Sequence, residues 1–273
     1  MSPTTIPGNL ILSNTQLDAR DTDANAYMAA VEAADGEPLE LGVRLAITDF
    51  VVGCKADGIW NAIKASCILA GARTLSGALV PLVGAAPTNN NFVDADYDRE
   101  TGLLGSSGKY LNSNRKTNQQ PQNSLHLSGY LTSPRSANSA IIAASKGVNQ
   151  SYSGIIVGSN WAFWSNGTDN GNQSTGLYGT PISLNSIGLI ASSRASSASF
   201  DIRGPGVSQV AVRSSIAPSD LDLYVFARNN NGTADFTTTN FRLAFYSIGE
   251  SLDLAALDTR VSTLISDLGA AIP

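Results

Sequence analysis

The chain has 273 residues, 42 % of them hydrophobic and only 14 % charged, with 17 Lys and Arg against 22 Asp and Glu for a formal charge of −5. That length can bury a full core, and the low charge, offset by Ser, Thr, Asn, Gln and 25 Gly, suits turns and strands with a polar face. The absence of a basic stripe excludes a nucleic-acid partner, and one His with two Cys leaves too few soft ligands for an ordinary zinc site.

From Met1 to Asp18 there is no Lys or Arg and no continuous apolar run, so the start does not read as a secretory signal. Residues 1–22 are expected to form an arm. From 23 to 73 the apolar period is helical. Asp21 to Asp23 supply N-cap candidates, Tyr27, Met28, Val31 and Ala34 share a stripe, and Gly36 can end the first helix. Pro38 suits the first turn of a second helix, with Leu39, Val43, Ile47, Phe50 and Val51 at helical spacing and Gly53 as its stop. Asp57 can cap a third, with Ile59, Trp60, Ile63 and Cys67 along one face and Gly71 closing it. Cys54 and Cys67 are expected as buried thiols, since two cysteines make no disulfide framework. The longest apolar stretch, Ile68 to Ala86, is broken by Arg73, Pro81 and several glycines. A membrane span needs about 20 mostly apolar residues, so a soluble chain with no membrane partner is expected.

From 74 to 250 the period drops towards two and turn signals recur. Strands are expected at Tyr110–Asn114, around Leu125, Leu127 and Leu131, at Ile155–Val157, Trp161–Trp164, Ser199–Arg203, Gln209–Arg213 and Leu221–Arg228. Asn229-Asn230-Asn231-Gly232 is a strong turn, because Asn and Gly tolerate positive φ. Phe241, Leu243 and Phe245 should line one face of a last strand. Short strands at this spacing predict a mainly β fold, an antiparallel jelly-roll-like β-sandwich with a helical segment before it. Residues 251–273 turn helical again. Leu254, Leu257, Val261, Leu264 and Leu268 follow the 3-4 spacing of a coiled-coil seam over about two heptads. This helix either packs on the sandwich and the first helices or forms a seam between subunits of a homo-oligomer, with a trimer favoured.

No phosphate-cradling loop, dinucleotide fingerprint or nucleophile elbow is present. His126, the only imidazole, falls among Ser124, Ser128 and Tyr130 on the polar face of its strand and reads as a surface or interface residue. Glycoside hydrolysis needs two carboxylates about the scissile bond, yet Glu occurs only at 32, 37, 40, 100 and 250. No catalytic residue is therefore assigned, and no enzyme activity and no cofactor are expected. Asp94, Asp96 and Asp98 have the alternate spacing of calcium ligands, but Arg99 and Gly105 stand where an EF-hand-type loop needs Gly and Glu. The acidic triplet is thus a calcium candidate beside the reading of a solvated loop. Trp161 and Trp164 are the glycan-stacking candidates, since exposed tryptophans mark binding surfaces; burial in the core or a subunit contact is the alternative.

The block Phe50-Val-Val-Gly-Cys-Lys-Ala-Asp-Gly-Ile-Trp-Asn-Ala-Ile-Lys-Ala-Ser-Cys to Leu75 resembles a segment common in tailed-phage virion proteins. So does Asn89 to Asn114, with Asp96-Tyr-Asp-Arg-Glu-Thr-Gly and Lys109-Tyr-Leu-Asn-Ser-Asn. Tyr224-Val-Phe-Ala-Arg-Asn-Asn-Asn-Gly-Thr and Arg242-Leu-Ala-Phe-Tyr-Ser-Ile-Gly-Glu-Ser-Leu resemble the closing strands of concanavalin-like, laminin-G-like sandwiches. The resemblance implies a structural protein on the virion surface, assembled in the bacterial host cytoplasm, as capsid decoration or a head or tail fibre. Other virion proteins would be its partners. A fibre module binding host glycans is the alternative, and a glycan depolymerase the more distant one.

Overall fold

The computed structural model describes residues 21–134, 139–147, 151–157, 162–169, 177–178, 187–237 and 240–273, with the backbone alone at 157, 162–169, 177–178 and 207. It opens with helix α1, Thr22–Asp35. The Asp21 side chain caps it by accepting from the backbone N–H groups of Asp23 and Ala24, and Gly36 closes it at φ 75°. Ala24, Tyr27, Met28 and Val31 are its buried stripe, whereas Ala34 is exposed. Helix α2, Leu41–Ala56, begins after Glu40 rather than at Pro38 and runs through Gly53. Gly53 does not stop the helix; it serves packing. A Cβ there would lie 2.7 Å from the Arg260 guanidinium, so the missing side chain gives that residue room to cross.

The expected third helix is absent. Trp60–Ala62 form one 3-10 turn, and Ile63–Ile68 are strand β1. A run of apolar residues buried on both sides carries no periodicity that separates strand from helix. Here pairing with a distant strand decides it. The remaining strands are β2 Thr88–Asn90, β3 Tyr97–Asp98, β4 Gly102–Leu104, β5 Tyr110–Lys116, β6 Leu125–Leu131, β7 Ser139–Ser145, β8 Ser151–Val157 and β9 Ala162–Asp169. They continue with β10 Leu177–Tyr178, β11 Gly188–Arg194, β12 Ser199–Gly204, β13 Val207–Val212, β14 Asp222–Val225, β15 Arg228–Asn230, β16 Thr233–Asp235 and β17 Arg242–Gly249. A short helix α3, Leu75–Ala78, precedes β2, and α4, Leu254–Ala271, ends the fold.

Among the described residues the strands form two sheets. Sheet A has eight strands in the order β13-β12-β11-β6-β17-β4-β3, and β1 joins β17 beside β4. The outer edge of β17 is shared: β4 takes Arg242 and Leu243, while β1 takes Phe245 to Gly249. Sheet B has nine strands along β10-β9-β8-β7-β14-β5-β2, with the β15–β16 hairpin also on β7. That hairpin turns at Asn231 (φ 50°) and Gly232 (φ 94°), the conformation the Asn-Gly pair foretells.

The molecule has three layers: helices, sheet A and sheet B. One apolar cluster fills the space between the sheets, with Leu111, Leu127, Leu131, Ile142, Ile155, Leu223, Phe241, Leu243 and Ile248 among its members. The second lies between the helices and the outer face of sheet A, with Met28, Val51, Ile68, Leu189, Phe245, Leu257 and Leu264 among its members. A register shift between Leu243 and Phe245 in the pairing of β17 with β6 breaks the alternation. Phe241 and Leu243 face sheet B, and Phe245 faces the helices, where it meets Phe50 edge-on with centroids 5.7 Å apart. The three therefore do not share a face. Cys54 and Cys67 are free and buried, and burial pushes both thiols up to about 12. No helix among the described residues is long and apolar enough to cross a membrane.

Candidate functional site

The helical layer governs the fate of the residues singled out above. Leu254, Leu257, Val261, Leu264 and Leu268 are all buried within the single chain, in the cluster shared with α2 and the outer face of sheet A. The stripe expected as a candidate subunit seam is internal, and its partner is the chain's own α2. Gly42 lets the two helices close up, since a Cβ there would lie 2.7 Å from that of Ala271. Arg260 ties them further through two hydrogen bonds to Asp57, at 2.7 and 3.0 Å.

His126 is fully buried rather than exposed, because the helical side of sheet A is covered. Its Nδ1 lies 2.6 Å from the Glu250 carbonyl oxygen. A carbonyl only accepts, so Nδ1 carries the proton and Nε2 accepts from the Ser247 hydroxyl at 2.9 Å. Ser247 Oγ then accepts from Ser128 at 2.7 Å. These are the contacts of a nucleophile and its base, with a peptide carbonyl where a carboxylate would orient the ring. What removes them from catalysis is access, since Ser128, Ser247 and His126 are all sealed beneath the helices. Burial also pulls the imidazole down to about 4. The group fastens the connection to α4: Ser251 N–H donates to Ser124 Oγ at 3.0 Å, and Leu252 N–H to Ser193 Oγ at 3.0 Å.

The acidic triplet does not converge. Asp96 is buried and holds Lys109 Nζ at 2.6 and 2.7 Å while accepting from Val93 N–H. Asp98 instead accepts from the Thr101 hydroxyl and from the backbone N–H groups of Glu100 and Thr101, which holds its carboxyl below the usual range. With one carboxylate occupied by an ammonium and another by its own turn, the three offer no common centre for calcium. No cluster of ligating side chains suited to a metal occurs among the described residues. Two glutamates are likewise engaged: Glu40 bridges Arg73 and Arg99, and Glu32 holds Arg44.

Trp161 lies outside the described residues. Trp164 is described by its backbone alone, paired with Ile155 on β8, so the side chains expected to stack on a sugar lie outside the description.

Among the described residues no helix covers sheet B; Phe236 packs on the buried Ala140, Ala143, Tyr152 and Ile156 of its outer face, and beside them lies the arrangement that sequence reasoning missed. Leu111 and Leu223 point into the core, so strand alternation sends Tyr110, Asn112, Asp222 and Tyr224 outward. Register places Tyr224 beside Asn112, and Thr88 and Asn90 of the edge strand β2 beside Asn112 and Tyr110. The Tyr110 and Tyr224 rings stack with centroids 4.7 Å apart and planes 28° apart, both half-buried. Asn112 Nδ2 donates to Asp222 Oδ2 at 3.3 Å. Partial burial, then Tyr110 and Asp222, raise the Tyr224 phenol, so it stays neutral and able to donate. The arrangement is a flat aromatic step edged by amide, carboxylate and hydroxyl groups. The signal for it was present in Tyr110-x-Asn112 and Asp222-x-Tyr224, two alternations whose adjacency only the sheet reveals.

No family model and no curated protein matches the sequence. Among solved structures, a mutant Trypanosoma rangeli sialidase with trans-sialidase activity is similar at 11 % identity and TM-score 0.47, over 84 % of this chain and 40 % of that one. The botulinum neurotoxin serotype D ligand-binding domain in complex with N-acetylneuraminic acid is similar at 13 % identity and TM-score 0.45, over 77 % and 52 %. A botulinum neurotoxin type C structure, whose cell entry depends on two ganglioside molecules, is similar at 14 % identity and TM-score 0.46, over 76 % and 51 %. The chain spans about half the length of these solved chains or less.

Proposed function

We propose that the chain is a structural, non-catalytic module displayed on a tailed-phage virion, and that the half-buried Tyr110–Tyr224 step on the outer face of sheet B binds host-surface glycan. The virion setting rests on the sequence blocks that resemble phage virion proteins. The observation that carries the binding role is the one-sided build. Helices seal sheet A, while the opposite face of sheet B offers the Tyr110–Tyr224 stack beside Asn112 and Asp222. A sugar ring has an apolar C–H face that packs on an aromatic ring and hydroxyls that pair with amide and carboxylate groups. The sealed Ser247–His126 pair supports the non-catalytic part of the reading.

The test is binding of the purified chain to arrayed bacterial surface glycans, repeated with Tyr224→Ala and Asp222→Asn. Binding that falls by roughly tenfold or more in Tyr224→Ala, the scale of an anchoring aromatic, with melting temperature little changed, supports the proposal. Absence of binding, or binding indifferent to both changes, overturns the site. Release of reducing sugar by the chain would overturn the non-catalytic reading, and absence of the chain from purified virions would overturn the setting.

A further inference from the structure

Among the described residues, strand β13 is the outermost strand of sheet A and has β12 as its one partner, in unbroken register from Ser199↔Val212 to Gly204↔Val207. Natural edge strands are blunted by lysine, proline or a bulge, and β13 has none of these. Instead it exposes Val210 at 62 % and Val212 at 80 %, while Ala211 between them is fully buried in the inter-sheet core. The two valines therefore stand on the helical side of sheet A. The first turn of α4 borders this edge across a groove of ≈ 410 Å³ lined by Asp201, Gln209, Val210 and Leu254.

The backbone of β13 is equally specific. Arg213 N–H donates to Ala198 O at 2.8 Å, so by antiparallel alternation the peptide groups of Gln209, Ala211 and Arg213 point to β12. Those of Ser208, Val210 and Val212 point away from it, to the open side. Apart from Gln209 standing opposite Arg213, the sequence here reads the same in both directions: Ser208-Gln209-Val210-Ala211-Val212-Arg213-Ser214.

We propose that β13 pairs with β13 of a second copy of this chain, antiparallel, about a two-fold axis at Ala211. In that register Val210 of each copy faces Val212 of the other, and Ser208 faces Ser214. These are the positions whose peptide groups are free to bond across the edge. Arg213 faces Gln209 of the second copy, so no like charges oppose. The four valines merge into one apolar patch, and the two sheets become one continuous sheet. A surface that must complement itself is the requirement of an isologous contact, and the near-palindrome meets it where a foreign partner would have no need of one. This contact by itself makes a dimer, in place of the trimer expected from the carboxy-terminal stripe.

The experiment uses the full chain and disulfide trapping. Variants V210C and V212C are purified separately, oxidised alone and oxidised after mixing, with the buried Cys54 and Cys67 as internal controls. A covalent dimer formed in the mixture and not by either variant alone supports the axis at Ala211. Cross-linking of V210C by itself, or of neither variant in any combination, overturns it. Sedimentation of the unmodified chain over a dilution series should show a dimer, and V212K should shift it to monomer with an unchanged circular dichroism spectrum. A monomer at every concentration overturns the pairing outright.

Discussion

His126 shows how a single side chain can report on the layer above it. Its folded-state pKa is depressed, to about 4 from the ordinary 6.5, with burial as the leading cause. The unfolded chain therefore binds the extra proton first as pH falls. The stabilisation is complete above about pH 6.5 and drains away between there and about 4, by roughly 3 kcal/mol for this group. Urea titrations of the native chain and of His126→Gln, compared across that window, should converge as pH drops. Parallel curves would mean that the imidazole is not buried. Its chemistry was legible in the sequence, since alternation put it correctly with Ser128. The face was not, because nothing in a strand's own pattern says whether water or a helix lies above its polar side.

At the scale of elements, α4 and β1 make opposite lessons. The Leu254-to-Leu268 stripe was readable because a helix needs only one buried face, and every residue named on it is buried. What it meets was not readable, for a stripe fits an internal helix as well as a neighbouring subunit. Leu257→Ala and Leu264→Ala should each cost about 2–5 kcal/mol, the price of a large core side chain replaced by a cavity, and leave the solution mass of the folded protein unchanged. A change of mass without loss of stability would return the stripe to a subunit contact. Strand β1 misread as helix because both its faces are apolar, and only a strand some 180 positions later identifies it. Its seat depends on Gly249, where a Cβ would lie 1.9 Å from the Ala62 carbonyl oxygen. Gly249→Ala should thus lower stability by about 1–3 kcal/mol through overpacking, with amide protection lost first in residues 63–68. Protection retained there would show that the backbone has room after all.

For the molecule as a whole, the three layers place the helices on sheet A, and the Tyr110–Tyr224 step lies on the outer face of sheet B. The fold class could be read from short strands and turn spacing, whereas the difference between the sheets could not, since it arises from which sheet the helices cover. The candidate glycan face was equally invisible: Tyr110 and Tyr224 lie far apart in sequence and meet only because β14 runs beside β5. Because surface charge is sparse and most stabilisation is apolar burial, which salt does not screen, the melting temperature should change little as sodium chloride is raised. A steep dependence would place more of the stability in the ion pairs around Glu40 and Asp96.

The position of β17 also sets when the protein can exist. It holds β6, β4 and β1 together, yet it is made after all three. At synthesis rates of roughly 5–20 residues per second, on the order of ten seconds or more separates β1 from its partner. Until then sheet A lacks the strand that joins β6 to β4 and β1, and its outer face lacks α4. A nascent chain arrested before Arg242 should remain fully protease-sensitive, and resistance should arrive abruptly once residues 242–271 have left the ribosome. Acquisition of this fold is thereby coupled to the synthesis of β17 and α4, well after that of the strands they complete.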